Sequence, residues 1–506
     1  MRRRTATLAA ARDIRPEEAV PARTGSAAAH LQANRGRVRF PYSAAQGHGG
    51  GMTMTFPLIR FTLALALLMG TVIPGLQAAG NLRELVSPAG ADSGEANLHA
   101  DRDGRLHLTW CGPADRAGSR AVWLSLLEPS AQTWSSPRAI VVSPRLMENW
   151  ADFPSLIRGT DGTLWAQWFE RRDASVGTGY DGWVARSVDD GRTWSQPSPL
   201  GHEFVSLAPM SSGRVLAIWL ESLQPPRPAG APRSPRPTWK PGDATPASMQ
   251  LKSRLLAADG STVREWVVDP DVCSCCQTSL VALPGDESLA FYRGRTPLEI
   301  RDHCCARFGN ETWSAPQPVH EDGWQIAACP VNGPAGDAQG QTVCVAWFTL
   351  ANGQAKVQAK LSHNGGATFG APLPIDLGQP LGRVEVVTLA DRTSVVLWLE
   401  SKREGQATGL YARRIFRDGS LSAAELLADV SAARAGGFPR AAVRSSGTVV
   451  LAWTEVGPGD PAETHVRVRE WDPTQLSPAA GLLPALPRSA APTTRELCPP
   501  TPAPKA

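Results

Sequence analysis

Leu164-Trp165-Ala166-Gln167-Trp168 is a short apolar run that closes on an indole, and six other segments repeat it: 106–110 (LHLTW), 215–219 (VLAIW), 288–292 (SLAFY), 343–347 (VCVAW), 394–398 (SVVLW) and 449–453 (VVLAW). Counted on the closing aromatic, the seven copies are spaced by 58, 51, 73, 55, 51 and 55 residues. A fixed period of this size marks a repeat architecture, in which one supersecondary unit cannot bury its apolar face alone. Each copy is preceded by a second apolar segment opened by Pro or Gly, such as Phe153-Pro154-Ser155-Leu156 or Phe438-Pro439-Arg440. An alternating segment follows, such as Val184-Ala185-Arg186-Ser187, and then a fourth that opens Trp-Ser-x-Pro, as at Trp194 and Trp313. Four short strands per unit predict an all-β fold, a β-propeller of four-stranded blades. Seven copies predict seven blades, or six if the unit closing on Tyr292 is an insertion. The seventh unit stops after its third strand at 466–468, whereas 82–86 (LRELV) stands alone before the first. The N-terminal strand is therefore expected to complete the last blade and remove the open edges.

Composition agrees with this pattern. The 47 Gly and 44 Pro among 506 residues interrupt the chain too often for long helices, and 17 Trp against 4 Tyr point to a repeated structural role for the indole. Outside the repeats, Arg60, the apolar run 61–69 and the small residues at 76–79 read as a signal peptide over 52–79, with translation from Met52 or Met54. Residues 1–51 then form an Arg- and Ala-rich upstream extension, excluded from the fold. The apolar run is shorter than the roughly 20 residues that span a bilayer. No stable membrane insertion is expected after the signal is removed, and the mature chain is expected to be periplasmic or secreted. The propeller is assigned to 80–471, and the Pro/Ala-rich stretch 472–506 is expected to be a disordered tail. The formal charge of +4 owes to the leader; the remainder is slightly acidic and carries no electrostatic footprint for nucleic acid.

Ser187-Val188-Asp189-Asp190-Gly191-Arg192-Thr193-Trp194 fits the pattern S-x-D-x-G-x-T-W at every defined position. In such a turn the acid caps backbone donors, Gly supplies φ > 0 and the aromatic packs between sheets, so Ser187, Asp189, Gly191, Thr193 and Trp194 are read as structural. The segment 362–369 repeats the pattern with Asn364 for Asp and Phe369 for Trp. With this Asp box the chain resembles the sialidase superfamily. Over residues 80–470 it resembles the exported bacterial proteins called sialidase-like or BNR-repeat, on Glu148-Asn149-Trp150-Ala151-Asp152-Phe153-Pro154, Val272-Cys273-Ser274-Cys275-Cys276-Gln277-Thr278, Tyr292-Arg293-Gly294-Arg295, Glu299-Ile300-Arg301-Asp302 and the segment 322–334.

The resemblance implies a channel mouth that binds a glycan or another small polar ligand. A sialidase of this fold uses a Tyr nucleophile made reactive by a Glu, an Asp as acid or base, and three Arg that clamp the substrate carboxylate. The residues of this chain that could fill those roles are Tyr180, Glu385 and Asp152 for chemistry and Arg293, Arg295, Arg383 and Arg440 for the carboxylate. Trp150 and Trp324 are candidates to stack on a sugar ring. The Arg-Ile-Pro signature expected of the first clamp arginine is absent. Each candidate also has a plain structural reading: ion pairing of Arg383 and Arg440 with acids such as Glu385, turn capping by Asp152, and packing over the channel by the two indoles. The Pro-rich loop 223–246 accounts for the longest interval and reads as a solvated insertion or a flap beside the mouth.

Cysteine opens a second line. Of nine in the chain, five lie between 273 and 305; Cys273, Cys275, Cys276 and Cys329 sit in loops leading into neighbouring inner strands and are expected to converge. In an oxidising compartment they read as disulfides, with Cys329 bonded to one member of the Cys-Ser-Cys-Cys run and Cys304 or Cys305 to another. The alternative is a soft-metal site for copper or zinc, with His202, His303 or His320 as supplementary ligands. Three functions thus stand open: a glycan-binding propeller that is a glycoside hydrolase of sialidase type if it is an enzyme, needing no cofactor; a non-catalytic soft-metal binding protein; and a scaffold for protein partners.

Overall fold

The computed structural model describes residues 82–479, apart from 174, 229, 231–238, 241, 403–406 and 460–461. The chain divides into Met1–Thr71 and Val72–Ala506, and every described residue lies in the second unit. The expected extension, signal peptide and most of the tail fall outside the described residues.

Seven antiparallel sheets form seven blades. Their inner strands are Gly94–Ala100, Ser155–Arg158, Glu203–Pro209, Ser279–Leu283, Ala335–Gln339, Pro380–Thr388 and Arg440–Val443. Each inner strand contacts the next, and the last returns to the first, so the ring is closed. The unit closing on Tyr292 is a full blade, its fourth strand split into Thr312–Trp313 and Gln317–Pro318; seven is the count. Leu82–Leu85 pairs antiparallel with Ala462–Trp471, placing the N-terminal strand outermost in the seventh blade. Residues past the expected boundary at 471 remain packed: Arg414 donates to the carbonyls of Pro473, Thr474 and Leu476, and the Ala479 amide donates to the Leu421 carbonyl.

The recurring aromatic explains why the ring holds. Trp168, Trp219, Trp347 and Trp398 are fully buried, and the core clusters join adjacent blades, Trp165 and Phe169 of blade 2 packing with Val215 and Trp219 of blade 3. Each ring removes about 200 Å² from water, worth about 5 kcal/mol at about 25 cal/mol per Å². The indole N–H still needs a partner: Trp219 donates to Glu221 at 2.5 Å and Trp398 to Glu400 at 2.6 Å, in each case an acid two residues on, whereas Trp347 donates to Asp322 at 2.8 Å. At the opposite end of the blade Asp189 accepts from the amides of Arg192 and Thr193 at 3.1 and 2.9 Å, and Gly191 takes φ 78°. Trp194 packs beside the cluster shared by blades 1 and 2.

Candidate functional site

The loops leading into the inner strands gather at one end of the channel. Several of those strands open on a bulge with a non-glycine residue at positive φ: Glu95 (58°), Phe204 (54°) and Arg383 (52°). Such strain persists where surrounding contacts over-determine it, and bulges re-aim side chains. Below the mouth lies a cavity of 620 Å³ lined by backbone and side chains of the inner strands, including Asp152, Phe153, Gln277, Thr278, Glu385 and Arg440.

Asp152 and Tyr180 are brought together. The Tyr180 hydroxyl donates to Asp152 Oδ2 at 3.1 Å, and the Phe204 amide reaches both carboxylate oxygens at 3.0 Å. Burial, with the neighbouring charge of Glu203, pushes the Asp152 carboxyl well above its ordinary range against the Phe204 hydrogen bond. Burial and the charges of Asp152 and Glu203 push the Tyr180 phenol up as well, the wrong direction for a nucleophile, which needs a lowered pKa or an adjacent base. Glu385 does not join them; it pairs with Arg440 at 3.0 Å, and burial lifts it to about 7. The carboxylate beside the tyrosine is Glu203, lifted by burial to about 7. Sequence reasoning missed it, although an acid opening an inner strand recurs at Glu95 and Glu203.

Most of the expected arginine clamp is committed to the fold. Arg293 is buried and donates to the carbonyls of Arg301, Asn332 and Phe348 at 2.7, 2.7 and 3.1 Å. Arg295 pairs with Asp271 and Glu299 at 2.6 and 3.0 Å. Arg383 ties down the 431–439 loop through the carbonyls of Ala432, Ala433 and Gly437 at 3.1, 3.1 and 2.9 Å. Of the four, Arg440 alone lines the cavity, paired with Glu385 at 3.0 Å; its buried Nε, like that of Arg293, has no hydrogen-bond partner. Trp324 is 6 % exposed, under Arg293 and edge-on to Phe348 at 5.8 Å, so it offers no face to a sugar. Trp150 is half-buried, stacked on Phe438 at 5.9 Å with Arg383 over it at 5.0 Å.

The cysteines converge, but as thiols. Cys273, Cys275, Cys276, Cys304 and Cys329 are free, so neither expected cross-link involving Cys329 or Cys304 is formed; Cys305 is not among the free thiols. The Sγ atoms of Cys273, Cys275 and Cys276 lie within 4.8 Å of one another, with Cys273 3.8 Å from Cys275 and 3.9 Å from Cys276. Among the described residues no other group of three or more His, Cys, Asp or Glu is so closely gathered. Cys329 comes in from the loop before blade 5, its thiol in contact with Cys275 and Ser274. Arg301 Nη1 lies 3.2 Å from Cys273 Sγ. Hydrogen bonds from Cys275 and Cys276, with the charges of Arg301 and Arg293, hold the Cys273 thiol well below its usual value despite burial. Cys329 is brought down to about 6, chiefly by Cys275, whereas burial lifts Cys276 to about 12. Cys304 stands apart, near the Asp302 carbonyl at 4.0 Å. The three histidines are used elsewhere: His202 lies 3.6 Å from both Asp181 and Glu221, His303 faces the Phe348 carbonyl at 3.4 Å, and His320 is 3.9 Å from Asp322.

Gln277 joins the thiols to the cavity wall. Immediately after Cys276, it donates to the Ala151 carbonyl at 2.6 Å and accepts from the Gly333 amide at 3.0 Å. One side chain thereby ties the loops that carry Asp152, the Cys-Ser-Cys-Cys run and Cys329. Nothing in its residue type announced this; the signal was its position beside the cysteines.

No family model and no curated protein matches the chain. Solved structures similar in fold include a protein of unknown function from Dyadobacter fermentans DSM 18053 (14% identity, 79% of this chain and 100% of that one, TM-score 0.43). An α-L-arabinanase from Penicillium chrysogenum complexed with arabinobiose is similar at 13% identity (79% and 100%, TM-score 0.41). A Hadza microbial sialidase, Hz136, is similar at 16% (61% and 63%, TM-score 0.34). These likenesses concern the propeller alone.

Proposed function

We propose that this propeller is a soft-metal binding protein that holds Zn(II) or Cu(I) at the mouth of its channel through Cys273, Cys275, Cys276 and Cys329. The sulfur spacing carries the reading. Zn–S bonds of about 2.3 Å at tetrahedral angles set the sulfurs about 3.8 Å apart, and two of the three spacings within the Cys-Ser-Cys-Cys run are 3.8 and 3.9 Å. Thiolate ligands select such ions over Mg and Ca, and Arg301 supplies positive charge against the accumulating thiolates. Export to the periplasm, proposed from the leader, would expose four adjacent thiols to oxidation unless an ion holds them. The test is metal analysis and a free-thiol count on mature protein purified without reductant. About one zinc or copper per chain, with these four thiols shielded from alkylation until the ion is chelated, supports the reading; blocked thiols without metal overturn it.

A second reading is favoured by the cavity: a small polar ligand, a glycan among them, bound below the mouth against Asp152, Gln277 and Arg440. The Arg440–Glu385 pair in the cavity wall and the lifted carboxyl of Glu385 support it. Hydrolysis of sialidase type finds less support, because the tyrosine is pushed away from reactivity and three of four arginines are spent. Turnover of a fluorogenic sialoside that vanishes in Arg440→Ala would restore it; no turnover across a broad glycoside panel would leave binding alone.

A further inference from the structure

Burial across the four sulfurs is graded. Cys273 and Cys276 are 1 % and 2 % exposed, Cys275 is half-buried, and Cys329 is exposed, at the end of an exposed run 327–329. Three of these ligands share the loop before blade 4, and Cys329 alone belongs to the loop before blade 5. Beneath them Arg301 stands 3.2 Å from Cys273 and is fixed by Glu299 at 2.7 Å, closing the inner side. An ion arriving from solvent therefore meets Cys329 first, then Cys275, whose sulfur contacts both Cys329 and Cys273, and only afterwards the buried pair.

Resting on the metal reading above, we propose that Cys329 is the exchange ligand of the site, the residue that takes a soft ion from a thiolate-bound carrier, passes it inward and releases it by the same path. The step is a ligand substitution without change of oxidation state. The bond from metal to carrier sulfur breaks as the Cys329 thiolate forms its own bond to the metal, and the released carrier thiolate takes a proton from solvent. Cys275, then Cys273 and Cys276, displace the remaining carrier ligands in the same way. Cys329 suits the first encounter because its loop is held to the others by Gln277 but its sulfur lies outside them, so a carrier reaches it without opening the blades.

Loading from a Cu(I)–glutathione complex, followed anaerobically by Cu(I)–thiolate absorption in a stopped-flow mixer, tests the path. Wild type, Cys329→Ser and Cys276→Ser are compared after circular dichroism and melting confirm that each folds. Cys329→Ser is expected to load at least tenfold more slowly while still binding one ion through the remaining three sulfurs. Cys276→Ser is expected to begin loading at the wild-type rate and to surrender the ion at least tenfold faster to a bicinchoninate chelator. Wild-type loading by Cys329→Ser, or equal slowing in both variants, overturns the proposal and leaves metal binding intact. Failure of the wild type to take up Cu(I) overturns the metal reading itself.

Discussion

Gly333 sits where the loop carrying Cys329 runs against Gln277, and the substitution Gly333→Ala tests whether that packing assembles the mouth. A Cβ at 333 would meet the Gln277 backbone nitrogen at 2.7 Å and carbonyl carbon at 2.8 Å, with the carbonyl oxygen closer still. Backbone cannot swing aside as a side chain can, so the loops must part by about 1 Å to reach ordinary contact at about 3.5–4.0 Å. That displacement takes the 3.0 Å bond from the Gly333 amide to Gln277 out of range and loosens the 2.6 Å bond from Gln277 to Ala151. Two hydrogen bonds at about 1 kcal/mol each, with about 1–3 kcal/mol for overpacking, give an expected loss of about 3–5 kcal/mol. Urea unfolding of the metal-free protein measures it. Because Cys329 moves with its loop, zinc affinity, read by competition with a chromophoric chelator, is expected to fall by at least about tenfold, which is about 1.4 kcal/mol. Gln277→Ala is the control: it removes both bonds without the clash and is expected to cost about 2 kcal/mol. Stability within about 0.5 kcal/mol of wild type, together with unchanged zinc affinity in Gly333→Ala, would refute the reasoning.

With its thiol held at about 6, Cys329 of the metal-free protein should alkylate with iodoacetamide along a titration centred near that pH, while Cys276, lifted to about 12, stays unlabelled at neutral pH; peptide mass spectrometry reads both, and a midpoint near the ordinary value of about 8.5 would refute this. The folded value lies below the unfolded one, so the stability contributed by Cys329 is complete above about pH 8.5 and is lost as pH falls through 6. Trp324→Ala is expected to cost about 3–5 kcal/mol in urea unfolding, since a buried ring is removed from between Arg293 and Phe348; a loss under about 1 kcal/mol would show the ring to be dispensable surface. Deleting 82–85 opens the paired edge of Ala462–Trp471, so self-association by size-exclusion chromatography and a lower melting temperature are expected; a monomer melting like the parent would show that closure does not depend on that strand.

The fold was legible because a repeat prints its logic seven times. The closing aromatic had to be buried between blades, an acid two residues on satisfies the indole of Trp219 and of Trp398, and a seventh unit one strand short had to find that strand elsewhere. Each requirement constrains residue types at fixed offsets, which a sequence displays. The boundary at 471 was less legible, because Pro- and Ala-rich composition resembles a linker until Arg414 supplies partners for its carbonyls.

The site was legible only as an inventory. A carboxylate clamp needs guanidinium N–H groups left over after folding, and sequence cannot tell how many remain. Arg293 and Arg383 lie at the mouth end, but backbone carbonyls of neighbouring loops consume them; those loops carry unpaired carbonyls because they are irregular, and a buried carbonyl must find a donor. Arg295 is consumed by Asp271 and Glu299. Sulfur escapes this fate. A thiol is a weak hydrogen-bond partner, so folding gains little by committing one to a backbone group, and Cys273, Cys275, Cys276 and Cys329 keep their ligand capacity where the arginines have lost theirs. The chemistry still available at this mouth is therefore chiefly that of four converging sulfurs, with Arg440 the one clamp candidate that lines the cavity, paired there with Glu385.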